Sequence, residues 1–220
     1  MNIKLIDIRE PILKENQATA EQLAARFAEA RVFVVNLMSS PGAGKTSLVV
    51  KTLEGLKHRM RIAVVEGDVV STVDAERVAS TGAQTVQINT HGACHIDAAM
   101  LGRAVQELDL EALDMLIVEN VGNLVCPAEF VLGESMRAMI LSVPEGHDKP
   151  LKYPLMFTET SALLINKLDL MPHTDFDLQA CRDAVTSLNP DMRIFEISCR
   201  TGQGIDGWVD WLEQRAGGSQ

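Results

Sequence analysis

An α/β fold with a mostly parallel sheet covered by helices on both faces is what the sequence predicts, from three observations. The apolar run Val32-Phe33-Val34-Val35-Asn36-Leu37-Met38 is nearly continuous rather than alternating, as in a strand buried on both sides. Such runs alternate along the chain with segments of helical periodicity. The first run stops at Ser39-Ser40-Pro41-Gly42-Ala43-Gly44, a loop of small residues that opens straight into a helical segment.

In chain order, residues 1–30 read as an N-terminal helical arm packed on a single domain of residues 31–216, with a frayed tail at 217–220. Thr19 and Gln22 have capping-box spacing, with Leu23, Phe27 and Ala30 at helical intervals behind them. After the first strand come a helix over 45–58, a strand over 62–65, a helix over 73–80 and a strand over 85–88. A helical stripe then runs through Ile96, Met100, Leu101, Ala104, Val105 and Leu108. Strands over 115–118, 138–143, 163–166 and 194–197 and helices over 176–188 and 205–214 complete the pattern.

The 220 residues fit one domain better than two. With 46% hydrophobic and 23% charged residues the chain can bury a core. No apolar run approaches the roughly 20 residues that cross a bilayer, and the charged start MNIKLIDIREPILKENQ is unlike a secretory signal. Cysteines 94, 126, 181 and 199 are too few and too scattered for a disulfide scaffold. A cytoplasmic protein without a membrane partner is expected. Thirty acidic against 20 basic residues give a net charge of −10, which argues against nucleic-acid binding.

The loop Ser39–Thr46 sits where a phosphate-binding loop belongs. Pro41, Gly42, Ala43 and Gly44 let backbone N–H groups turn inward around phosphates, and Lys45 neutralises charge. The Thr46 hydroxyl can ligate magnesium, and Ser47 follows in the first helical turn. Ser39 stands where the usual pattern has its first glycine. Asn166-Lys167-Leu168-Asp169, at a later strand end, supplies a carboxylate able to accept from both N1–H and the exocyclic amine of guanine. Adenine presents the opposite polarity. Asn166 either binds the base edge or braces the phosphate loop, and the Lys167 stem covers the ring. Ser198, Cys199 and Arg200 have the position of a loop contacting the guanine oxygen.

Hydrolysis needs magnesium and an oriented water. Candidate acids just beyond strand ends are Glu66, Asp68, Asp74 and Glu119. Asp68 and Glu119 are favoured for magnesium, and Asp74 as a switch-region acid. On the same expected sheet edge, Cys94-His95, at the start of a helix, and Cys126 can converge although they are distant in sequence. Thiolates with an imidazole suit zinc, nickel or copper; small buried cysteines are the competing reading. His91 reads as a loop residue and Cys181 as core.

Taken together these blocks resemble the HypB family of nickel-inserting GTPases of NiFe-hydrogenase maturation. The resemblance covers nearly the whole chain. It is carried by Asn36–Thr46, Glu66-Gly67-Asp68, Gln87-Ile88-Asn89-Thr90, Cys94-His95-Ile96-Asp97-Ala98, Glu119–Pro127, Asp148–Pro154 and Asn166-Lys167-Leu168-Asp169. It implies a SIMIBI-type P-loop GTPase using GTP/GDP and magnesium. It also implies a nickel or zinc site at Cys94, His95 and Cys126, a homodimer favoured by GTP, and accessory proteins and the hydrogenase large subunit as partners. The N-terminal segment here has no cysteine, and the five histidines are scattered, so neither a separate high-affinity nickel motif nor a histidine store is expected. Lys149 and Lys152 read equally as a basic loop reaching nucleotide across a dimer and as solvated lysines. Competing readings are a urease-accessory nickel GTPase, whose metal motif is Cys-Pro-His rather than Cys-His, an ATP-dependent small-molecule kinase, and a metal-dependent dimerisation module with negligible turnover.

Overall fold

The structure is a computed structural model that describes residues 9–68 and 73–218. Residues 1–8 of the expected arm and 219–220 of the expected tail lie outside the described residues. Among those described, seven parallel strands form one sheet in the order β3-β2-β4-β1-β5-β6-β7. The strands are β1 (Phe33–Ser39), β2 (Ile62–Asp68), β3 (Gln84–Asn89), β4 (Met115–Glu119), β5 (Met136–Ser142), β6 (Ala162–Asn166) and β7 (Arg193–Glu196). The central β1 is flanked by β4 and β5, so the loop leaving it opens at the middle of one sheet edge.

Successive residues of each strand serve opposite cores. One face buries Val35, Leu37, Val64, Ile117 and Ile140 beneath α2 (Lys45–Leu56) and α9 (Ile205–Gly217). Trp208 of α9 donates from Nε1 to Thr52 Oγ1 of α2 at 2.9 Å, locking the two helices together. On the other face, Val34, Val65 and Leu116 pack under α1 (Arg9–Ala30) and α4 (Ala98–Ala104). Further along that face, Met38, Met139 and Leu163 pack under α7 (Pro154–Thr158) and α8 (Leu178–Leu188). The remaining helices are α3 (Val73–Ala79), α5 (Cys126–Glu129) and α6 (Lys149–Lys152). No described helix is long and apolar enough to cross a membrane.

Three expectations about the elements are corrected. Thr19 caps nothing: α1 starts at Arg9, and Thr19 sits mid-helix, its hydroxyl donating to the Glu15 carbonyl at 3.1 Å. Burial of Asn16, Ala20, Leu23 and Phe27 extends the helix ahead of the local cap signature. Cys94-His95 is not at a helix start. Asp97 is the cap of α4, its Oδ1 accepting from Met100 N at 2.7 Å, so both ligand candidates lie in the preceding loop. Glu66 and Asp68 lie inside β2, and Glu119 is the last residue of β4, because these strands pair further than their apolar runs.

Candidate functional site

The loop from β1 to α2 carries its own bracing. Ser39, in place of the usual first glycine, donates to the Ser40 carbonyl at 2.6 Å and accepts from Lys45 Nζ at 3.0 Å. Burial pushes the Lys45 ammonium pKa down, against the opposing pull of Glu119, Asp74, Glu145 and Glu66. Thr46 donates to Glu119 Oε1 at 2.7 Å, joining the phosphate loop to the end of β4. A cleft of about 270 Å³ lies between Pro41, Gly42, Lys45, Glu66, Asp68, Asp74, Glu119 and Gly122. Asp74 is half exposed and faces Arg77 at 3.5 Å. A Cβ on Gly122 would lie 2.9 Å from the backbone of Pro41, so only glycine lets the loop after β4 press against the phosphate loop.

Glu66 and Glu119 stand opposite each other on β2 and β4, both almost fully buried. Among the described residues, each leaves its Oε2 buried without a hydrogen-bond partner. Burial raises both carboxyls to about 7. At Glu66 the negative neighbours Glu119 and Asp68 add to the rise, whereas at Glu119 the Thr46 hydrogen bond opposes it. Orphaned buried carboxylate oxygens beside a lysine and a threonine hydroxyl fit a hydrated magnesium ion, which takes oxygen ligands and keeps several waters. In magnesium- and nucleotide-free buffer the folded state keeps protons that the unfolded chain releases above its ordinary carboxyl pKa. Stability is therefore expected to fall as pH rises from about 4.5 to 7, by up to about 1.4 kcal/mol per pH unit for each carboxyl. Thermal melts of wild type and Glu66→Gln across this window check it; the variant has the shallower slope, and equal slopes contradict the assignment.

At the neighbouring strand ends, Asn166 takes the bracing role. Its Nδ2 donates to the Ala43 carbonyl at 2.9 Å and its Oδ1 accepts from Cys199 N at 3.1 Å. Lys167 Nζ donates to the Gly42 carbonyl at 2.7 Å, drawing its stem along the phosphate loop. Asp169 Oδ1 accepts from the buried Ser198 hydroxyl at 2.6 Å, which orients the carboxyl. Arg200 is exposed on the same loop.

Cys94, His95 and Cys126 come together at this edge, with ligand atoms all within 4.8 Å of one another. The two Sγ atoms are 2.9 Å apart, and Cys94 Sγ is 3.6 Å from His95 Nδ1. His95 stacks on Phe130 with centroids 3.8 Å apart. Burial lowers its pKa despite Asp97 and Glu129, which favours the neutral imidazole whose lone pair can be donated. Burial, and then the Cys94 hydrogen bond, raise the Cys126 thiol, so a bound cation must displace its proton. Two thiols and a neutral imidazole fit a soft or borderline divalent ion with a coordination position to spare. Cys181 is buried in the core, His91 is an exposed loop residue with positive φ, and Lys152 pairs with Asp148.

The acids and candidate ligands above stand out in the sequence; a set of buried amides does not. Asn120 follows Glu119 and is fully buried. Its Oδ1 accepts from Ile96 N at 3.0 Å and from Val121 N at 2.9 Å. Asn16 of α1 accepts from Ala98 N at 2.9 Å and donates to the Val131 carbonyl at 2.8 Å. The signal was an asparagine inside an otherwise apolar strand, Asn36, whose Oδ1 accepts from Asn120 Nδ2 at 3.2 Å.

Residues 32–196 match the family model described as CobW/HypB/UreG, nucleotide-binding domain. A hydrogenase maturation factor HypB of Azotobacter chroococcum is 48% identical over 216 residues, 97% of this chain and 70% of that protein. The crystal structure of HypB from Helicobacter pylori in complex with nickel superposes with a TM-score of 0.87 at 36% identity, covering 92% of this chain and 95% of that one. The signal recognition particle 54 kDa protein of Aeropyrum pernix shares the fold alone: TM-score 0.57, 13% identity, 84% of this chain and 49% of that one.

Proposed function

Because this chain belongs to the HypB family within the CobW/HypB/UreG nucleotide-binding domains, we propose that it is a GTP-hydrolysing metallochaperone whose Cys94–His95–Cys126 site takes up and releases nickel according to nucleotide state. The observation that carries the reading is the convergence of two thiols and an imidazole within 4.8 Å, with Cys126 at the start of α5 just beyond the Val121–Gly122 segment that presses on the phosphate loop. The nickel bound by the Helicobacter pylori relative supports nickel as the cargo.

In this reading Lys45 and the backbone of Pro41–Gly44 hold the phosphates, with Ser47 at the start of α2 beneath them. Asp169, set by Ser198, reads the guanine edge, and the loop of Cys199 and Arg200 closes over it. Thr46, Asp68 and Glu119 hold magnesium, and Glu66 is a further buried oxygen facing the same cleft. When bound, magnesium neutralises charge on the β- and γ-phosphates. The γ-phosphate orders the strand-end loops, and those loops carry the thiols, so hydrolysis changes how the cargo is held.

Replacing Cys126 with Ala is the direct test. Nickel affinity is expected to fall at least about 100-fold, since loss of a supporting partner alone costs 10–100-fold. Cys181→Ala leaves affinity unchanged. Equal nickel affinity in wild type and Cys126→Ala, measured by calorimetry, contradicts the reading.

A GTP-favoured homodimer draws support from Leu151, 71% exposed on α6, with Leu155 of α7 and Val125 beside Cys126 also exposed. Burying a leucine is worth about 1.5–3 kcal/mol. Leu151→Asp is therefore expected to weaken self-association in a GTP analogue by about tenfold or more, read by sedimentation; an unchanged dimer contradicts this face. Hydrogenase accessory proteins and the large subunit are the proposed recipients of the metal.

A further inference from the structure

We propose that Asn120 is the positioning residue that transmits nucleotide state to the metal ligands, acting through the hydrogen bond that its side-chain oxygen accepts from the backbone N–H of Ile96. The inference rests on the GTP-gated metal reading above and assigns its coupling to one side chain.

Asn120 sits between the two sites in sequence and in space. On one side it directly follows Glu119, which holds Thr46 of the phosphate loop. It precedes the Val121–Gly122 segment that presses on Pro41. On the other side its Oδ1 accepts from the N–H of Ile96, the residue after His95. The same atom accepts from Val121 N, and two converging N–H donors fix it as the oxygen. Any shift of residues 119–122 must therefore move Ile96 or leave a buried N–H unpaired. Ile96 itself is fully buried, and a Cβ on Gly67 of β2 would come within 2.6 Å of its Cδ1. Ile96 thus touches the β2 end of the nucleotide cleft while its neighbour carries the imidazole.

The hydrogen bonds continue from Asn120 to the second half of the cluster. Asn120 Nδ2 donates to Asn36 Oδ1, and Asn36 Nδ2 donates to Glu134 Oε1 at 3.2 Å. Glu134 Oε1 accepts from Arg137 Nε at 2.5 Å, and Arg137 Nη1 donates to the carbonyl of Ala128, two residues after Cys126. One buried line of side chains therefore runs from the His95 loop to the Cys126 helix, with Asn120 as its member lining the cleft beside the phosphate loop. Asn16 ties Ala98 to Val131 by a separate route that touches neither Glu119 nor the phosphate loop. Asn123 adds an outer tie, donating to the Cys94 carbonyl at 3.3 Å.

The readout is the ratio of nickel dissociation constants in GDP and in a non-hydrolysable GTP analogue, both with magnesium. Coupled sites commonly differ by roughly 5–150-fold. In Asn120→Ala the ratio is expected to collapse to about two or less, with both ligands still binding. Asn16→Ala, which loosens the ligand loop from the far side, lowers nickel affinity equally in both states and keeps the ratio. A wild-type ratio in Asn120→Ala overturns the proposal, as does an equal collapse in Asn16→Ala. If Asn120→Ala does not fold, amide exchange on the wild type decides. The Ile96 and Val121 amides are expected to change protection together between the two nucleotide states, and an Ile96 amide indifferent to nucleotide overturns the assignment. A wild type with no ratio at all defeats the underlying GTP-gated reading, and the inference falls with it. A wild-type ratio that survives Asn120→Ala defeats only the inference.

Discussion

Lys45→Ala is expected to lower single-turnover GTP cleavage by at least about 10³-fold while leaving the apo fold intact. The side chain is half-buried in a cleft with Glu66, Asp68, Asp74 and Glu119, and its hydroxyl partner Ser39 holds it in place. It is the phosphate loop's own cation against this cluster of carboxylates. Without it, triphosphate and acids face each other with only magnesium between them. Removing one preorganised donor at a developing charge costs about 10²–10³-fold, and removing a cation on a transferring phosphoryl group costs about 10³–10⁵-fold. The apo protein tolerates the change because a buried ammonium is itself disfavoured, as its lowered pKa records. Rapid-quench cleavage with a circular dichroism control checks both halves. Cleavage at the wild-type rate would mean that the phosphate loop is not the reaction site, leaving the dimerisation-module reading.

Asp169→Asn is expected to lower preference for GTP over ATP by at least about 100-fold. A site whose buried polar groups match one base rejects the mismatched base by about 10⁴–10⁵-fold, because the wrong base leaves those groups unpaired. In the proposed function that task falls to Asp169. The Ser198 hydroxyl occupies Oδ1 and turns the carboxyl, while Asn166 ties the Ser198–Cys199 loop to the phosphate loop. An amide in place of the carboxylate presents a donor where guanine already donates. Competition binding of the two nucleotides checks it: a wild type that prefers ATP favours the ATP-dependent kinase, and an unchanged GTP preference in the variant contradicts the role given to Asp169.

Much of this site was legible because its signals are local. The phosphate loop spans eight residues between a strand and a helix, and Asn166 and Asp169 are three apart, so the chemistry is written in contiguous text. The meeting of Cys94 with Cys126 followed from a topological rule, that loops after parallel strands gather at one edge. The Thr19 capping signature misled because it is equally local. Tertiary burial of Asn16 and Ala20 overrode it, and no pattern within one helix reports that. The amide line was invisible for the complementary reason. Asn36 and Asn120 are 84 positions apart and Asn16 and Ala98 are 82 apart, and a lone asparagine in a strand does not name its partner. In the sequence Glu66 is one of several acids near strand ends. What sets it apart is a buried oxygen without a partner among the described residues, a property of the packed sheet.

The central claim is that cargo metal and nucleotide sense each other across loops in contact. The measurement that tests it most directly is nickel affinity of the unmodified protein with GDP and with a non-hydrolysable GTP analogue, together with the affinities of both nucleotides with and without nickel. Nucleotide is expected to shift nickel binding by roughly 5–150-fold, and nickel to shift nucleotide binding by the same factor, as linkage requires. Nickel affinity indifferent to nucleotide, with nucleotide affinity indifferent to nickel, would contradict it.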